Sequence, residues 1–591
     1  MPATVQRPAL WRIHSQDESA VEELSRALNI GKPAARVLIS RGYQSPEDAR
    51  AFLDPSIDAL HDPFLLAGMR DAAARLASAI RRKEKILLYG DYDVDGTTSV
   101  VILKTAIEMA GGAASFHVPD RLKDGYGMRL DVIDRAAADG VQLIVSVDTG
   151  IRAAEVVRHA STLSIDVIVT DHHLPESELP PALAVINPNR ADCGYPNKNL
   201  CGAGVALKLI EALLITLEWP AQKSRKLIAS FLKLAAIATV ADVVPLEGEN
   251  RVIVKHGLEG LREVRNPGLR ALMEVAGFTI GELPTAGKVA FRLSPRINAA
   301  GRMANASGAI ELFLTTDPER ARQLAEELHL MNQDRQVAEA EIVRSILEAC
   351  SRIPVIDSQA ALVFSARDWH KGVIGIVASR LVERFHRPVF VISEDSATGE
   401  ASGSGRSVYD FHLLEALESM PELFTRFGGH KQAAGLAMPA GRVPEFRERL
   451  SAFAQVRLSP EDFCKTWLID AVASVPELTE STARDILSLA PFGMGNREPL
   501  FALLGVEIIE PPAIMKEKHL RIKVRQGGKV IQLKAWNFAG RAAEFVPGSF
   551  IDAVITVEDD AWSASRGYPG WGAFLKDVRM SLPHSSPANY P

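Results

Sequence analysis

KILLYGDYDVDGTTS, residues 85–99, decides the reading of this 591-residue chain. Its opening, KILLYG, is a short apolar run suited to a fully buried strand. Its end leads into TTSVVILKTAIEMAGG, residues 97–112, which has the length and apolarity of a helix. Between them stand Asp91, Asp93 and Asp95. Like charges at contact repel by roughly 1 kcal/mol per pair even in water, so three carboxylates at one strand end need a cation or a hydrogen-bonding reason. Asp95, before Gly96-Thr97, suits a helix N-cap. One cap does not account for three aspartates. A calcium-binding helix–loop–helix would need a glutamate at the loop's end, where this chain has an apolar helix.

Two further strands end the same way. VQLIVSV, residues 141–147, runs into Asp148, and DVIVT, residues 166–170, runs into Asp171, His172 and His173. Short apolar runs alternating with amphipathic helices over about 70–190 signal βαβ units and a mostly parallel sheet. Ligands of such sheets bind beyond the carboxyl ends of the strands. Asp242, in ATVADVVPLEGENR after a very apolar helix, is a further candidate from another segment. A single histidine or aspartate of this kind is usually structural; acidic residues at three strand ends are harder to explain that way. Oxygen donors with one or two imidazoles suit Mg²⁺ or Mn²⁺ better than a thiolate zinc site. The number of donors fits two ions bridged by one carboxylate, a pair able to drive in-line displacement at phosphorus.

Working outward, residues 1–60 have the spacing of a small helical lead-in. Residues 200–315 are mainly helical, and 318–350 form one long helix-period stretch, a candidate rigid connector. Strand–helix–strand alternation returns after Pro354, and from about 460 short β-type runs suggest a small barrel. The chain is 47% hydrophobic and 24% charged with a net charge of -6, ordinary for a multi-domain globular protein and unlike a uniformly basic nucleic-acid binder. The four cysteines show no CxxC spacing, the N-terminus has no apolar leader, and no run is long enough to span a bilayer; a cytoplasmic setting is the expectation. GAG at 202–204 and GMG at 493–495 fall short of any nucleotide-binding fingerprint.

The motifs GDYDVDGTTS, VDTGI, TDHH and ADVVPL, with VPDRLKDGYG, LCGAGVALKL and FRLSPRINAAGRM, resemble the DHH phosphoesterase superfamily and closely its RecJ branch. WHKGVIGIVASRL, GSGRS and GGHKQAAGLAM resemble the associated DHHA1 domain. The resemblance covers about residues 60–580. It implies an α/β chain: a parallel-sheet DHH catalytic domain at 61–315, a connector helix at 316–352, a second α/β DHHA1 domain at 353–457, an OB-type barrel at 458–582 and a tail at 583–591. It further implies that Asp91, Asp93 and Asp148 hold one divalent ion (Mn²⁺ or Mg²⁺), and that Asp95, Asp148, His172 and Asp242 hold the other. Asp171 would orient His172, and His173 would face the scissile phosphate.

The implied activity is 5′→3′ exonuclease action on single-stranded DNA, releasing 5′-mononucleotides in repair and recombination. Arg121, Ser404 and Arg406 would form a pocket for the 5′-terminal phosphate. Arg296, Asn298, Arg302 and His430 would line the DNA path. In the last region, HLRIKVR alternates so that Lys523 and Arg525 share a face suited to single strands. For any one of these arginines, pairing with a surface carboxylate is the simpler reading; the family motifs favour phosphate. By family analogy a single-strand-binding protein and a helicase would be partners, and the chain a monomer. Two other readings compete: a phosphodiesterase of this fold acting on short RNA or cyclic dinucleotides, and a non-catalytic DNA-binding scaffold. The extra β domain weighs against the first, the complete set of acidic residues against the second.

Overall fold

The computed structural model describes residues 9–121, 125, 127–352 and 359–581. The 583–591 tail lies outside them, as do the first eight residues of the lead-in. The chain divides into two compact units.

A short strand, β1 (Leu10–Ile13), begins the described part. Five parallel strands follow in the first unit: β2 (Lys85–Tyr89), β3 (Ala113–His117), β4 (Leu143–Val147), β5 (Asp166–Thr170) and β6 (Ala184–Ile186). Their order is β3-β2-β4-β5-β6. The chain therefore leaves β2 toward one edge and resumes on its other side at β4, which makes the β2/β4 boundary a topological switch point, where a crevice opens beyond the strand ends. One face packs Leu87, Tyr89, Ile144 and Val167 against Val132, Ile133 and Val157. The helix Gly202–Thr216 is buried on nearly every side, which explains its lack of amphipathic patterning.

Pro318–Arg352 is one continuous helix. It leads to a second sheet, β7 (Leu362–Arg367), β8 (Val389–Glu394), β9 (Glu400–Arg406), β10 (Arg426–Gly429) and β11 (Ala433–Pro439), in the order β10-β11-β9-β8-β7. Only β7 and β8 are parallel.

The second unit holds β12 (Thr466–Ile469), β13 (Ala471–Val472), β14 (Phe501–Ile508), β15 (Ala513–Met515), β16 (His519–Gln526), β17 (Lys529–Ala535), β18 (Phe550–Asp559) and β19 (Trp571–Met580). The order β14-β18-β19-β17-β16, with an extra β14–β16 pairing, closes a five-stranded barrel. The lead-in is part of this unit and not a separate element. β1 pairs in parallel with β12, and Val21, Leu24, Val37 and Leu38 share a core with Phe501, Ile522 and Ile555. The lead-in's amphipathic helices are too short to bury their apolar faces alone, so the barrel supplies the other half of the core. Arg251, fully buried, donates to the carbonyls of Phe52, Leu489 and Ala490 and lies 3.6 Å over the Phe52 ring.

Candidate metal centre

The β2 turn places its three aspartates differently. Asp93 is the N-cap of the helix Val94–Met109, its Oδ1 accepting the Gly96 N–H at 3.0 Å. The cap is thus Asp93 and not Asp95. Asp95 sits inside the first turn, where its carboxylate accepts the N–H groups of Gly202 (2.5 Å) and Ala203 (2.7 Å). Those are orphan donors at the start of a buried helix, a natural seat for negative charge. Asp91 is buried, and its Oδ1 meets no hydrogen-bond donor among the described residues. Asn298 accepts the Val94 N–H at 3.1 Å and so braces the turn from the RINAAGRM helix.

Asp148 ends β4 with φ 57°, a left-handed conformation that costs about 1–2 kcal/mol and that aspartate tolerates better than most residues. His172 Nε2 lies 3.1 Å from Asp148 Oδ1, 3.7 Å from Asp95 Oδ2 and 3.8 Å from Asp242 Oδ2. Two donor triads have all their ligand atoms within 4.8 Å of one another: Asp91, Asp93 and Asp148, and Asp95, His172 and Asp242. Asp148, His172 and His173 form a third such set. Strand ends β2, β4 and β5 and the end of the helix Ala221–Ala241 thus converge at the switch point.

The electrostatics are those of a cation-binding site. Burial and then Asp93 push Asp91 well above the ordinary carboxylate range. Burial and then Asp95 do the same to Asp148. Asp95 is raised to about 7, by burial and then Asp93, and Asp242 to about 8, by burial and then Asp95. Burial, with the His173 charge, lowers His172 to about 4, so its imidazole is neutral and able to ligate. A buried orphan oxygen, mutually repelling carboxylates and a neutral imidazole together fit a pair of divalent ions.

Asp171 corrects the sequence reading. Its Oδ1 takes the backbone N–H groups of His172 (2.7 Å) and His173 (3.1 Å), but its ring partner is His173 Nδ1 at 2.7 Å, not His172. Burial opposes charge on His173, but the Asp171 hydrogen bond and charge, with the charges of Asp242 and Asp95, together outweigh it and raise His173 to about 9. Two residues that the sequence did not single out hold this turn: Asn189 Nδ2 donates to the His172 carbonyl at 2.6 Å and Asn187 Nδ2 to the His173 carbonyl at 2.8 Å.

The expected DNA contacts divide. Arg121 stacks 5.1 Å over Tyr92. Arg302 donates to the Gly372 carbonyl and is lowered to about 10 by burial, then by Arg121 and Arg335, with Arg406 adding to the effect. Arg406 bonds Ser404 Oγ at 3.0 Å. A Cβ on Gly375, at the start of the helix Ile374–Phe385, would lie 3.0 Å from Ser404 Oγ and 3.2 Å from Arg406 Nη2, so these groups cluster at a helix N-terminus. Arg121, Arg302, Ser404 and Arg406 therefore make an electropositive pocket. Arg296 is otherwise engaged, donating to His329 Nδ1 and to the Arg292 carbonyl. Lys523 pairs with Glu510 at 3.1 Å and Arg525 with Glu507 at 2.8 Å. Their side chains do share one face of β16, as the alternation implies, but carboxylates on neighbouring segments meet both. His430 is exposed at the tip between β10 and β11.

Fold and site together define a DHH-type metal-dependent phosphoesterase. Residues 85–239 match the DHH family N-terminal domain, 358–456 the DHHA1 domain and 469–568 the RecJ OB domain. The chain is 37% identical over 572 residues to the single-stranded-DNA-specific exonuclease RecJ of Bacillus subtilis, covering 97% of this chain and 71% of that one. It is 38% identical over 517 residues to its namesake in Dickeya dadantii, covering 85% and 88%. The crystal structure of RecJ in complex with Mn²⁺ from Thermus thermophilus superposes with TM-score 0.82 at 33% identity, covering 97% and 80%. This chain belongs to the RecJ family. No described helix is long and apolar enough to cross a membrane.

Proposed function

We propose that this chain is a 5′→3′ exonuclease specific for single-stranded DNA, releasing 5′-mononucleotides in repair and recombination. The observation that carries the reading is the meeting of two donor triads at the switch point with Asp148 in one and His172, 3.1 Å away, in the other. Asp91, Asp93 and Asp148 hold one divalent ion, Mn²⁺ or Mg²⁺; Asp95, His172 and Asp242 hold the second, with Asp148 shared. Such a pair supplies an acidified water and neutralises charge on the phosphoryl oxygens. His173, kept cationic by Asp171, offers an N–H to the phosphate as negative charge develops. Arg121, Arg302, Ser404 and Arg406 hold the strand's 5′-terminal phosphate, which fixes the end that enters and so the polarity. The barrel, with basic side chains alternating along β16, is a second binding surface for the single strand.

Action as a cytoplasmic monomer, beside a single-strand-binding protein and a helicase, belongs to the same reading and rests on family analogy. The test is degradation of 5′- and 3′-labelled single strands, duplex, short RNA and cyclic dinucleotides with Mn²⁺ or Mg²⁺. The expected result is mononucleotide release from the 5′ end of single strands alone, lost in Asp148→Ala while the protein stays folded. Near wild-type turnover by that variant would sink the bridging role.

A further inference from the structure

The loop after β9 carries an aromatic that neither the fold nor the metal centre uses. Tyr409 is 80% exposed, three residues past Arg406. Its backbone is nonetheless fixed. Gln432 Nε2 donates to the carbonyls of Tyr409 (3.3 Å) and Val408 (3.5 Å), the Ser407 N–H donates to the Gln432 carbonyl (3.1 Å), and the Leu413 N–H to the Lys431 carbonyl (3.0 Å). The loop is thus laced to the tip between β10 and β11, which itself returns as Ala433 opposite Arg406. Lys431 Nζ stands 4.8 Å over the Tyr409 ring. His430 and His412 belong to the same patch, and His430 is lowered by burial and then by the charge of Arg406. Asp410 is the one acidic side chain within this loop.

A large aromatic held in solvent loses the hydrophobic gain it would have in a core, so its rigid mounting needs another reason. Cations around an exposed ring are the chemistry that receives single-stranded nucleic acid: the ring takes a base face and the cations take the backbone. Its continuity with Ser404 and Arg406 says which base. We propose that Tyr409, braced by Lys431, is a stacking platform for a nucleobase close to the strand's 5′ end. The inference rests on the reading above that the Ser404/Arg406 pocket takes the 5′ phosphate. A rigid ring there would order the nucleotides next to the phosphate pocket, raising affinity without taking part in bond cleavage.

The test is a cycle of enzyme and substrate changes on the full chain with Mn²⁺. The enzymes are wild type, Tyr409→Ala and Tyr409→Phe. The substrates are 5′-phosphorylated single strands, intact or with one abasic site moved along the first positions. On intact DNA, Tyr409→Ala should raise KM about five-fold or more, the size of a lost base–aromatic stack, with kcat within about two-fold and Tyr409→Phe near wild type. At one abasic position the wild type should show the same rise and Tyr409→Ala should add nothing to it. An Ala effect below about two-fold, or one that persists undiminished at every abasic position, would overturn the platform. Comparing 5′-phosphate with 5′-hydroxyl strands in the wild type checks the pocket separately: loss of that preference removes the phosphate reading, while the abasic cycle still reports on the stack.

Discussion

Gly202 lies against Asp148 so closely that a Cβ on the glycine would stand 2.8 Å from the Asp148 Cβ and 3.1 Å from Asp95 Oδ2. The first turn of the Gly202–Thr216 helix thus does two things at once. Its N–H groups hold Asp95, and its missing side chain leaves room for the Asp148 carboxylate. Gly202→Ala must displace one or the other, since both partners are buried and packed. The expected outcome is a folded protein whose Mn²⁺ affinity falls about 10–100-fold, as for lost support of a metal ligand. Calorimetric titration with Mn²⁺ checks it, and unchanged affinity would count against the crowding.

Asp171 and His173 form an ion pair whose pH dependence has a definite sign. His173 is raised to about 9, so the stability it contributes is complete below about 6.5, its ordinary value, and is lost as pH rises through 9. Asp171 is held below its ordinary value, by hydrogen bonds and the His173 charge that outweigh burial, so its share is present above about 4 and lost at lower pH. Asp171→Asn should therefore cost the metal-free protein about 1 kcal/mol or more near pH 6–7, discounted for the partly exposed ring, with the difference shrinking above pH 9 to the part carried by the backbone N–H groups of Ile151, His172 and His173. Denaturant melts of both proteins across pH 5–10 measure this, and a pH-independent gap would argue against the pair.

How much of this was legible in the sequence depends on what each residue needs in order to act. Asp91, Asp93, Asp95, Asp148 and His172 could be read because position at a strand end predicts convergence, and the strand order then does the rest. Asn187, Asn189 and Gly202 could not, because their work is to hold or admit backbone from distant segments, and Asn or Gly in a loop has many commoner explanations. Arg296, Lys523 and Arg525 were read as DNA contacts because a sequence displays a charge without its partner; His329, Glu510 and Glu507 come from other segments. The pairing of β1 with β12 was hidden for the same reason, since four residues carry too little pattern to name so distant a neighbour.

The raised carboxylates predict that the metal-free centre is a liability that grows with pH. A carboxyl whose folded value lies above its unfolded one binds more protons when folded, so stability falls as pH rises from about 4 through about 7 for Asp95 and about 8 for Asp242. Mn²⁺ or Mg²⁺ should reverse this, with a gain in Tm larger at pH 8 than at pH 5.5. Asp148→Asn, which removes one of the repelling charges, should raise the Tm of the chelator-treated protein at pH 8 while abolishing turnover. Thermal melts with and without chelator test both, and a lower Tm for the variant at that pH would contradict mutual repulsion as the cause.

On the barrel, the pairing of basic residues ranks their expected weight in DNA binding. Lys523 and Arg525 already face Glu510 and Glu507, so DNA would have to displace those carboxylates before using either cation. Arg521, two residues before Lys523 on the same face of β16, is exposed, and no ion pair joins it to a carboxylate among the described residues. A cation that contacts phosphate contributes about one released counterion to the salt dependence of binding. Arg521→Ala should therefore lower the slope of log affinity against log salt by about 0.7 for a single strand, whereas Arg525→Ala should leave it nearly unchanged because the charge it gives up was already neutralised. Fluorescence anisotropy of a labelled single strand over a salt series, with a metal chelator to prevent degradation, gives both slopes. Equal slopes for the two variants would mean that the Glu507 pair opens on binding, and that proximity to the strand outweighs the prior partner.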